Sequence, residues 1–462
     1  MQTPKDLNEL VKHMVEFMEQ QPQATKQTTF EHLFNLISPG IKLRYEIIHQ
    51  ESKNVETTEK KKPFEYLDSV DVKRVILTSD RLKGDFKNLL TQQCNGVVLE
   101  YPTWNVLSVP PMMFNPKFNV KFISKNLNQY TFYKAVDGTV VTLYYYNNNW
   151  CMSSSNGYEI NKFQWMGDKT YEQALRDVLN KYPDFSFDKL DKRRCYTIGF
   201  RHSDFHPLLS DPASAWFIQS TEIDNSSEHN FALSTSDDII GLPLQTKVVI
   251  ETQDQFYNAL TQCNNALNNY MNSVRRNDGK DISALSINYG LVIRGNFTTL
   301  GASANIFIES ELMKKIRQLM YNLPKDHGRN QINHSNRMEY TILRAYLNYT
   351  SARYMFINLF PQFAPQYEKY SNIISKIVNR ITQSYRNKTV RDAISSRANG
   401  LDKTKKNNSQ SVCIDKLAAA FIDHLSKNER INVFDPQSKN IIHDYIVDPK
   451  YVNIYFDIIT AA

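Results

Sequence analysis

The chain has 462 residues, of which 41% are hydrophobic, 22% charged and 12% aromatic, and its net charge is +7. This composition excludes a disordered or fibrous protein and predicts a soluble globular chain of about two domains. No run approaches the roughly 20 apolar residues that cross a bilayer, so we expect no membrane contact and a cytoplasmic location. The five cysteines include no C-x-x-C pair, which predicts buried, reduced thiols rather than disulfides or a cysteine zinc site.

Residues 1–70 are predicted to form an N-terminal helical segment followed by a loop. Up to residue 50 the apolar side chains recur at helical spacing, as at Leu7, Leu10 and Met14. Residues 51–63 contain almost no apolar side chains and include three consecutive lysines. This stretch therefore predicts an exposed surface loop.

Residues 71–325 are predicted to form a mixed α+β domain built on antiparallel sheet, because short β-type runs follow one another with few helical interruptions. The predicted strands are 72–78, 97–101, 106–109, 120–123, 131–136, 140–146, 246–251, 291–294 and 305–308. The predicted helices within this domain are 171–180 and 256–274.

Residues 326–462 are predicted to form a basic, all-helical C-terminal domain. The apolar spacing becomes helical after Glu311 and predicts helices at 311–321, 338–360 and 367–385. The excess positive charge lies here, with 13 basic and 4 acidic residues between 331 and 410. Such a block suits binding around 337–406 of RNA, with tRNA and nicked or broken RNA ends as candidates, and a solvated basic surface is the alternative. Arg344 and Tyr346 combine a basic and an aromatic side chain, as surfaces that stack RNA bases do. Packing of the tyrosine in the protein core explains its presence equally well.

Lys134 is the residue most suggestive of chemistry, because it lies three positions before Asp137-Gly138 at the junction of two strand-like runs. A lysine amine attacks a nucleotide phosphate only when it is unprotonated and held in a partly desolvated pocket on rigid backbone. The Asp-Gly pair predicts a tight turn that returns the chain as a second, paired strand. The alternative is an ordinary hairpin with a lysine in solvent.

A series of short segments around Lys134 follows a characteristic order along the chain. The segments are 94–98, 108–115, 134–139, 150–157, 196–200, 289–294 and 305–310. This series resembles the nucleotidyltransferase superfamily of ATP-dependent ligases and capping enzymes, and most closely the phage-type RNA ligases. Three of the chain's 14 glycines fall at family positions where a side chain would crowd a nucleotide. The Asn- and Lys-rich composition also suggests a large DNA virus as the source.

The resemblance implies an ATP-dependent RNA ligase. In that reaction Lys134 attacks the α-phosphorus of ATP, the resulting adenylate passes to an RNA 5′-phosphate, and an RNA 3′-hydroxyl then displaces AMP. Magnesium would act as a Lewis acid, with ligands that the sequence leaves unassigned. The implied nucleotide contacts are Asp137, Gly138 and Thr139 at the ribose and turn, Gly157 and Gly290 beside the nucleotide, Phe200 on adenine and Arg294 on phosphate.

The chain departs from the family pattern at charged positions. Family cations correspond to Asn95, Met113 and the pair Phe307 and Glu309, and a metal-binding glutamate corresponds to Tyr289. The nearby candidates that could supply positive charge instead are Arg201, His202, Arg294, Lys314 and Lys315. The departures leave open a second function, that of a catalytically degenerate ligase-fold RNA-binding or virion protein.

Two further interpretations are less favoured. A capping guanylyltransferase would carry a small β-barrel after the catalytic domain, whereas the predicted tail is helical. His202, Asp204 and His206 are close enough in sequence to suggest a metal site, but they follow a strand and precede Pro207, which favours a loop.

Overall fold

A computed structural model of the chain contains three antiparallel sheets among its described residues. The described residues are 4–38, 40–47, 67–80, 82–155, 157–164, 169–202, 213–225, 231–234, 241–276, 288–295, 305–320 and 363–386, with isolated helical positions at 342–344, 346–347, 357, 359, 415–416 and 418–419. Within these ranges no helix has the length and hydropathy needed to cross a membrane.

The helices are α1 Leu7–Gln20, α2 Lys26–Leu36, α3 Leu89–Gln93, α4 Val120–Lys125, α5 Tyr171–Leu179, α6 Gln253–Arg276, α7 Glu311–Met320 and α8 Ala364–Arg386. The strands up to Arg201 are β1 Ile41–Ile47, β2 Val72–Ser79, β3 Asn95–Glu100, β4 Val106–Ser108, β5 Tyr130–Lys134, β6 Thr139–Tyr146, β7 Asn149–Ser153 and β8 Arg194–Arg201. The remaining strands are β9 Ser214–Ile223, β10 Phe231–Ser234, β11 Lys247–Val248, β12 Gly290–Gly295 and β13 Ile306–Glu309.

The chain divides into two compact units. The first comprises Met1–Pro207, Asp211–Ser273 and Ser283–Met313, and it contains all three sheets. The second comprises Leu208–Ser210, Val274–Ile282 and Lys314–Ala462.

The N-terminal helices pack on the first sheet, whose strand order is β1-β2-β3-β4. Asp6 and Thr25 cap α1 and α2, because each side chain accepts a hydrogen bond from a backbone N–H of the first turn. Leu10 and Phe30 from these helices share one core with Trp104. The prediction that residues 1–50 are helical throughout is wrong for β1. Its side chains alternate between apolar and charged, which suits a strand paired with β2.

The second sheet has the order β10-β9-β8-β6-β7, and α5 covers one of its faces. Leu175 and Val178 of α5 pack there against Phe200. Tyr145 and Trp150 are cross-strand partners in the β6–β7 hairpin with ring centroids 5.4 Å apart, so these two aromatic side chains pack against each other across the hairpin.

The third sheet has the order β11-β5-β12-β13, and α4 and α6 lie against one face of it. Phe132 and Ile293 from the sheet pack with Ile123 of α4 and Phe256 of α6. The prediction of a strand at 120–123 is wrong, because this segment forms α4. The Asn119 side chain accepts a hydrogen bond from the Phe122 N–H at 3.2 Å and starts a helix instead.

The mixed helix and antiparallel-sheet class is confirmed for the first unit. In the second unit α8 matches the helix predicted at 367–385, and it buries Tyr367, Tyr370 and Ile374. Tyr346 is also buried there, with its ring 4.6 Å from that of Tyr367, which supports the core-filling explanation for this tyrosine. Most of the predicted all-helical C-terminal domain, including most of the basic block, lies outside the described residues.

All four described cysteines are buried and none forms a disulfide, as expected, and Cys413 lies outside the described residues.

Candidate active site

Lys134 ends strand β5 and is fixed through its backbone on both sides. Its N–H donates to the Thr246 carbonyl at 2.9 Å, and its own carbonyl accepts from the Gln245 side chain at 3.2 Å. Lys134 is paired with Leu291 of β12. Because side chains alternate along a strand, Lys134 shares a face with Phe132, and this is the face that α6 covers.

A cavity of about 600 Å³ opens on that face, and Lys134 lines it together with Gly290, Leu291 and residues of α6. The Lys134 side chain is half-buried, and no described residue pairs with its amine. The cavity wall is mixed in character, since it includes apolar positions of α6 as well as three amides and two hydroxyls. The polar wall residues other than the lysine are Gln262, Asn269, Tyr270, Ser273 and Asn288.

The sequence did not single out the cavity residues of α6. They recur at positions 262, 266, 269, 270 and 273, which is the spacing of one helical face. Helical periodicity shows that these side chains share a face, but it does not show which strand they meet. That information comes only from the packing of α6 on the third sheet.

The segment after Lys134 crosses from one sheet to another. Strand β5 belongs to the third sheet and β6 to the second, so the expected hairpin of paired strands around Asp137-Gly138 does not form. The Ala135 N–H donates to the Gly290 carbonyl at 3.0 Å, which extends the β5–β12 pairing by one residue before the crossing. An Asp-Gly pair specifies a turn, but it does not specify whether the strands on either side will pair.

Arg201, at the end of β8, secures this crossing from a buried position. Its Nη1 donates to the Asp137 carbonyl at 3.0 Å and lies 3.6 Å from the Asp137 Oδ2 and 3.4 Å from the Tyr289 Oη. Only 1% of Arg201 is exposed. The sequence named Arg201 as a candidate cation, and the structure makes it the residue that ties the 135–138 crossing to β8 and to the start of β12.

Gly138 and Gly199 lie beneath the indole ring of Trp216. A Cβ at Gly138 would lie 2.5 Å from the Trp216 Cη2, and one at Gly199 would lie 2.1 Å from the Trp216 Cε2. Gly290 has a φ of +133°, and a Cβ there would lie 2.2 Å from the Ile308 carbonyl oxygen. These glycines are thus required by close packing of the protein itself.

Arg294 lies on the face of the third sheet opposite Lys134. Its guanidinium stacks over the Tyr133 ring at 4.6 Å and donates to the Gln245 side chain at 2.7 Å and to the Ile218 carbonyl at 3.2 Å. Burial lowers the pKa of Arg294, and the contact with Tyr133 opposes this shift. The predicted phosphate contact of Arg294 would require the guanidinium to exchange some of these protein partners.

The remaining predicted nucleotide contacts lie in separate places. Thr139 begins β6, and Gly157 sits in a turn where its carbonyl accepts from the Ser154 N–H at 2.8 Å. Phe200 is fully buried in the core between the second sheet and α5, so stacking on adenine would require its ring to leave that core. Of the predicted site residues, the structure brings Lys134 and Gly290 together at the cavity.

The positions that depart from the family pattern are also placed by the structure. Glu309 is paired with Gly290 and Phe307 with Val292, on the strand that borders β12. Met113 is buried, and the Asn95 side chain donates to the Pro111 carbonyl at 2.8 Å. None of these side chains supplies the positive charge that the family has at the corresponding positions.

The described residues contain no group of three His, Cys, Asp or Glu side chains arranged to hold a metal ion. His202 is buried with its Nε2 3.5 Å from the Asp177 Oδ2, and Asp204 and His206 lie outside the described residues. The described residues therefore do not fit a magnesium ion held by protein ligands alone.

Comparison with known proteins gives the chain its family. No protein-family model matches it. A protein of the Pretoriuskop isolate of African swine fever virus, named "Putative RNA-ligase", is 30% identical over 332 residues, which cover 67% of this chain and 71% of the relative. Proteins of the same name from the Badajoz strain and the Malawi isolate are 30% and 29% identical, with 71% and 72% of their own lengths covered.

A solved structure, Naegleria gruberi RNA ligase R4a in an apo mutant form, is 10% identical and covers 45% of this chain and 57% of its own, with a TM-score of 0.27. The sequence relatives, not this likeness, define the class, which is that of RNA-ligase-like proteins. The chain belongs to the African swine fever virus family whose members carry the name "Putative RNA-ligase". The predicted resemblance to RNA ligases is confirmed at this level, and the viral relatives agree with a viral source.

Proposed function

We propose that the chain is an ATP-dependent RNA ligase in which Lys134 carries the adenylate. The single observation that supports this most is the position of Lys134, half-buried at the end of a paired strand and lining a cavity of about 600 Å³. Cavities of a few hundred Å³ or more suit a nucleotide-sized ligand. A lysine side chain fully exposed to solvent would not have supported the assignment of Lys134 as the nucleophile.

The proposed chemistry has three transfers. The Lys134 Nζ attacks the α-phosphorus of ATP, so that an N–P bond forms, the bond to the leaving pyrophosphate breaks and the amine loses a proton. An RNA 5′-phosphate then attacks the same phosphorus and displaces the lysine. Finally an RNA 3′-hydroxyl attacks the activated 5′-phosphate, which forms the phosphodiester and releases AMP.

The protein's own contribution to the first transfer is to position the lysine. The backbone of Lys134 is anchored at Thr246 and Gln245, and the residues that follow are held by Gly290 and Arg201. Fixing a nucleophile on rigid backbone removes an entropic part of the barrier. Amides and hydroxyls of α6, such as Gln262 and Ser273, line the cavity, and we expect them to contact the nucleotide. Magnesium stays a prediction, and the described residues are assigned no ligand to it.

A second function, RNA binding without ligation, is favoured by two specific observations. Lys134 and Tyr133 project to opposite faces of β5, so the amine does not share a face with Arg294. Neighbouring Glu309 adds a carboxylate where the family has a cation. A chain that kept the fold but lost nucleotidyl transfer would tolerate both features.

The experiment that separates the two functions is protein labelling. The full chain is incubated with α-labelled ATP or α-labelled GTP and magnesium, and the label retained after denaturing electrophoresis is measured. We expect label from ATP, and its loss in Lys134→Ala and Lys134→Arg, because neither side chain forms the phosphoramidate. Lys87→Ala is the matched control, since Lys87 is an exposed lysine remote in sequence from the cavity residues.

The outcomes are distinct. Label from GTP alone would indicate capping chemistry and overturn the ligase proposal. No label from either nucleotide would support the binding protein. Retained label in Lys134→Ala would place the nucleophile elsewhere in the chain.

A further inference from the structure

An exposed basic and aromatic surface lies on and just before α4, and we call it the α4 patch. It consists of Lys117, Phe118, Lys121, Phe122 and Lys125, all of which are exposed. From 101 to 136 the chain has no aspartate or glutamate. None of these three lysines forms an ion pair with any described residue.

The exposed phenylalanines are not the result of a loosely attached helix. Ile123 of α4 is buried in the core shared with Phe256, and the hydroxyls of Ser124 and Tyr257 lie 3.3 Å apart. The helix therefore packs on α6 through one face and leaves Phe122 outside, with 50% of it exposed. Phe118, four residues earlier in the sequence, is 38% exposed. Large apolar side chains exposed together within one short segment, unlike scattered ones, mark interaction surfaces.

We propose that the α4 patch docks single-stranded RNA, with bases stacked on Phe118 and Phe122 and phosphates neutralised by the three lysines. The inference rests on the proposed function for its choice of RNA, and on charge complementarity for a polyanion. Aromatic rings bind the faces of unstacked bases, so a single strand or a frayed end fits better than a duplex. Glu251, just before α6, and Asp254, in its first turn, form no ion pair with the patch lysines in the described part of the chain.

The position of the patch relates it to the Lys134 cavity. Both are on the side of the third sheet that α6 covers. Tyr257 of α6 contacts α4, which carries the patch, whereas Cys263 and Tyr270 of the same helix line the cavity. At 1.5 Å per residue, the stretch of α6 from Tyr257 to Tyr270 spans roughly 20 Å. A strand of a few nucleotides covers that distance, so RNA docked on the patch can extend an end toward Lys134.

The test measures RNA affinity in the absence of any nucleotide cofactor, so that its result does not depend on whether the protein can be adenylylated. A fluorescein-labelled oligouridylate is titrated with the full chain, and the anisotropy is recorded over a series of salt concentrations. In a Lys117→Ala, Lys121→Ala, Lys125→Ala variant we expect weaker binding and a salt slope about 2 smaller, since each phosphate contact contributes roughly 0.7 to the slope for single strands. The matched control changes three other exposed lysines, Lys12, Lys83 and Lys87, to alanine and should leave affinity and slope unchanged.

The aromatic residues have a different expected signature. Phe118→Ala with Phe122→Ala should weaken binding by roughly tenfold or more while the salt slope stays the same, because stacking carries no charge. Phe118→Leu with Phe122→Leu keeps an apolar surface and removes the rings, so it should lose affinity similarly. Phe34→Ala, which alters an exposed phenylalanine of α2, is the control.

Three results would overturn the proposal. These are a wild-type chain that does not bind the oligouridylate, patch variants with unchanged affinity, and leucine variants that bind as wild type does. Binding to vesicles of phosphatidylcholine and phosphatidylserine, measured for the same variants, tests the competing interpretation that the patch binds a membrane. If the alanine variants lose vesicle binding and keep RNA binding, the patch is a membrane surface instead.

Discussion

Arg74 and Glu159 form a buried ion pair whose disruption gives a prediction of defined size. The Arg74 Nη2 lies 2.7 Å from the Glu159 Oε2, and the two side chains are 5% and 20% exposed. The Arg74 guanidinium also donates to the Tyr144 hydroxyl at 2.9 Å and lies 5.0 Å from the Tyr146 ring centroid. The pair ties β2 to the loop after β7, so it links the first sheet to the second.

Glu159→Gln should destabilise the protein by about 3 kcal/mol. Removing one partner of a fully buried pair costs roughly 3–5 kcal/mol because the other charge stays buried, and the partial exposure of Glu159 favours the lower end. Replacing both residues, as in Arg74→Met with Glu159→Leu, should cost less, near 1 kcal/mol, since no buried charge remains.

The assay is urea unfolding followed by tryptophan fluorescence, with the free energy of unfolding taken from linear extrapolation. Glu16→Gln is the control, because its partner Lys12 is 70% exposed at 4.0 Å and such surface pairs contribute roughly 0.5 kcal/mol or less. The reasoning is refuted if Glu159→Gln costs less than about 1 kcal/mol, or if the double variant is less stable than Glu159→Gln.

The same pair predicts a dependence on pH. Burial acts to raise the pKa of Glu159, but hydrogen bonds from Lys162 and Arg74 outweigh it, so the pKa lies below the usual value of 4.5. A carboxylate with a lowered folded-state pKa stabilises the fold above its unfolded-state pKa, and that stability is lost as the pH falls through the folded-state value. On acidification below 4.5, wild type should therefore lose more unfolding free energy than Glu159→Gln does.

Two substitutions test the packing around the crossing from β5 to β6. Gly199→Ala would set a Cβ 2.1 Å from the Trp216 ring. We therefore expect the free energy of unfolding in urea to fall by roughly 1–3 kcal/mol and the tryptophan emission to shift. An unchanged unfolding midpoint would contradict the close packing. Arg201→Met removes the hydrogen bond to the Asp137 carbonyl, so we expect roughly 2 kcal/mol less stability and less label from ATP per mole of protein. Arg201→Lys should recover part of the stability, and full labelling of Arg201→Met would show that the crossing does not position Lys134.

The sequence predicted well the helices and strands whose pattern is contained within a single segment of the chain. The strand at 140–146 follows from its β-type residues and the helix at 367–385 from its helical spacing, and both are present in the structure. The run at 120–123 was misjudged because a short apolar segment has no period long enough to separate a strand from a helix. A strand before His202 was expected without bounds, and it is β8, which carries Arg201; β9 was not predicted.

The candidate site depended on contacts that no local pattern contains. Strand alternation shows that Lys134 and Phe132 share a face, but only the packing of α6 shows that this face borders a cavity. Likewise the Asp-Gly turn was visible, but the separation of β5 and β6 into different sheets was not. Long-range packing decided both features, and it is the part of the fold that single-sequence reasoning reaches least.

The most direct test of the central claim is peptide mapping of the adenylylated chain. The protein is incubated with ATP and magnesium, digested, and analysed by mass spectrometry under conditions that preserve a phosphoramidate. The account predicts one AMP adduct, on the peptide that contains Lys134. An adduct on any other lysine, or labelled protein in which the Lys134 peptide is unmodified, would contradict it.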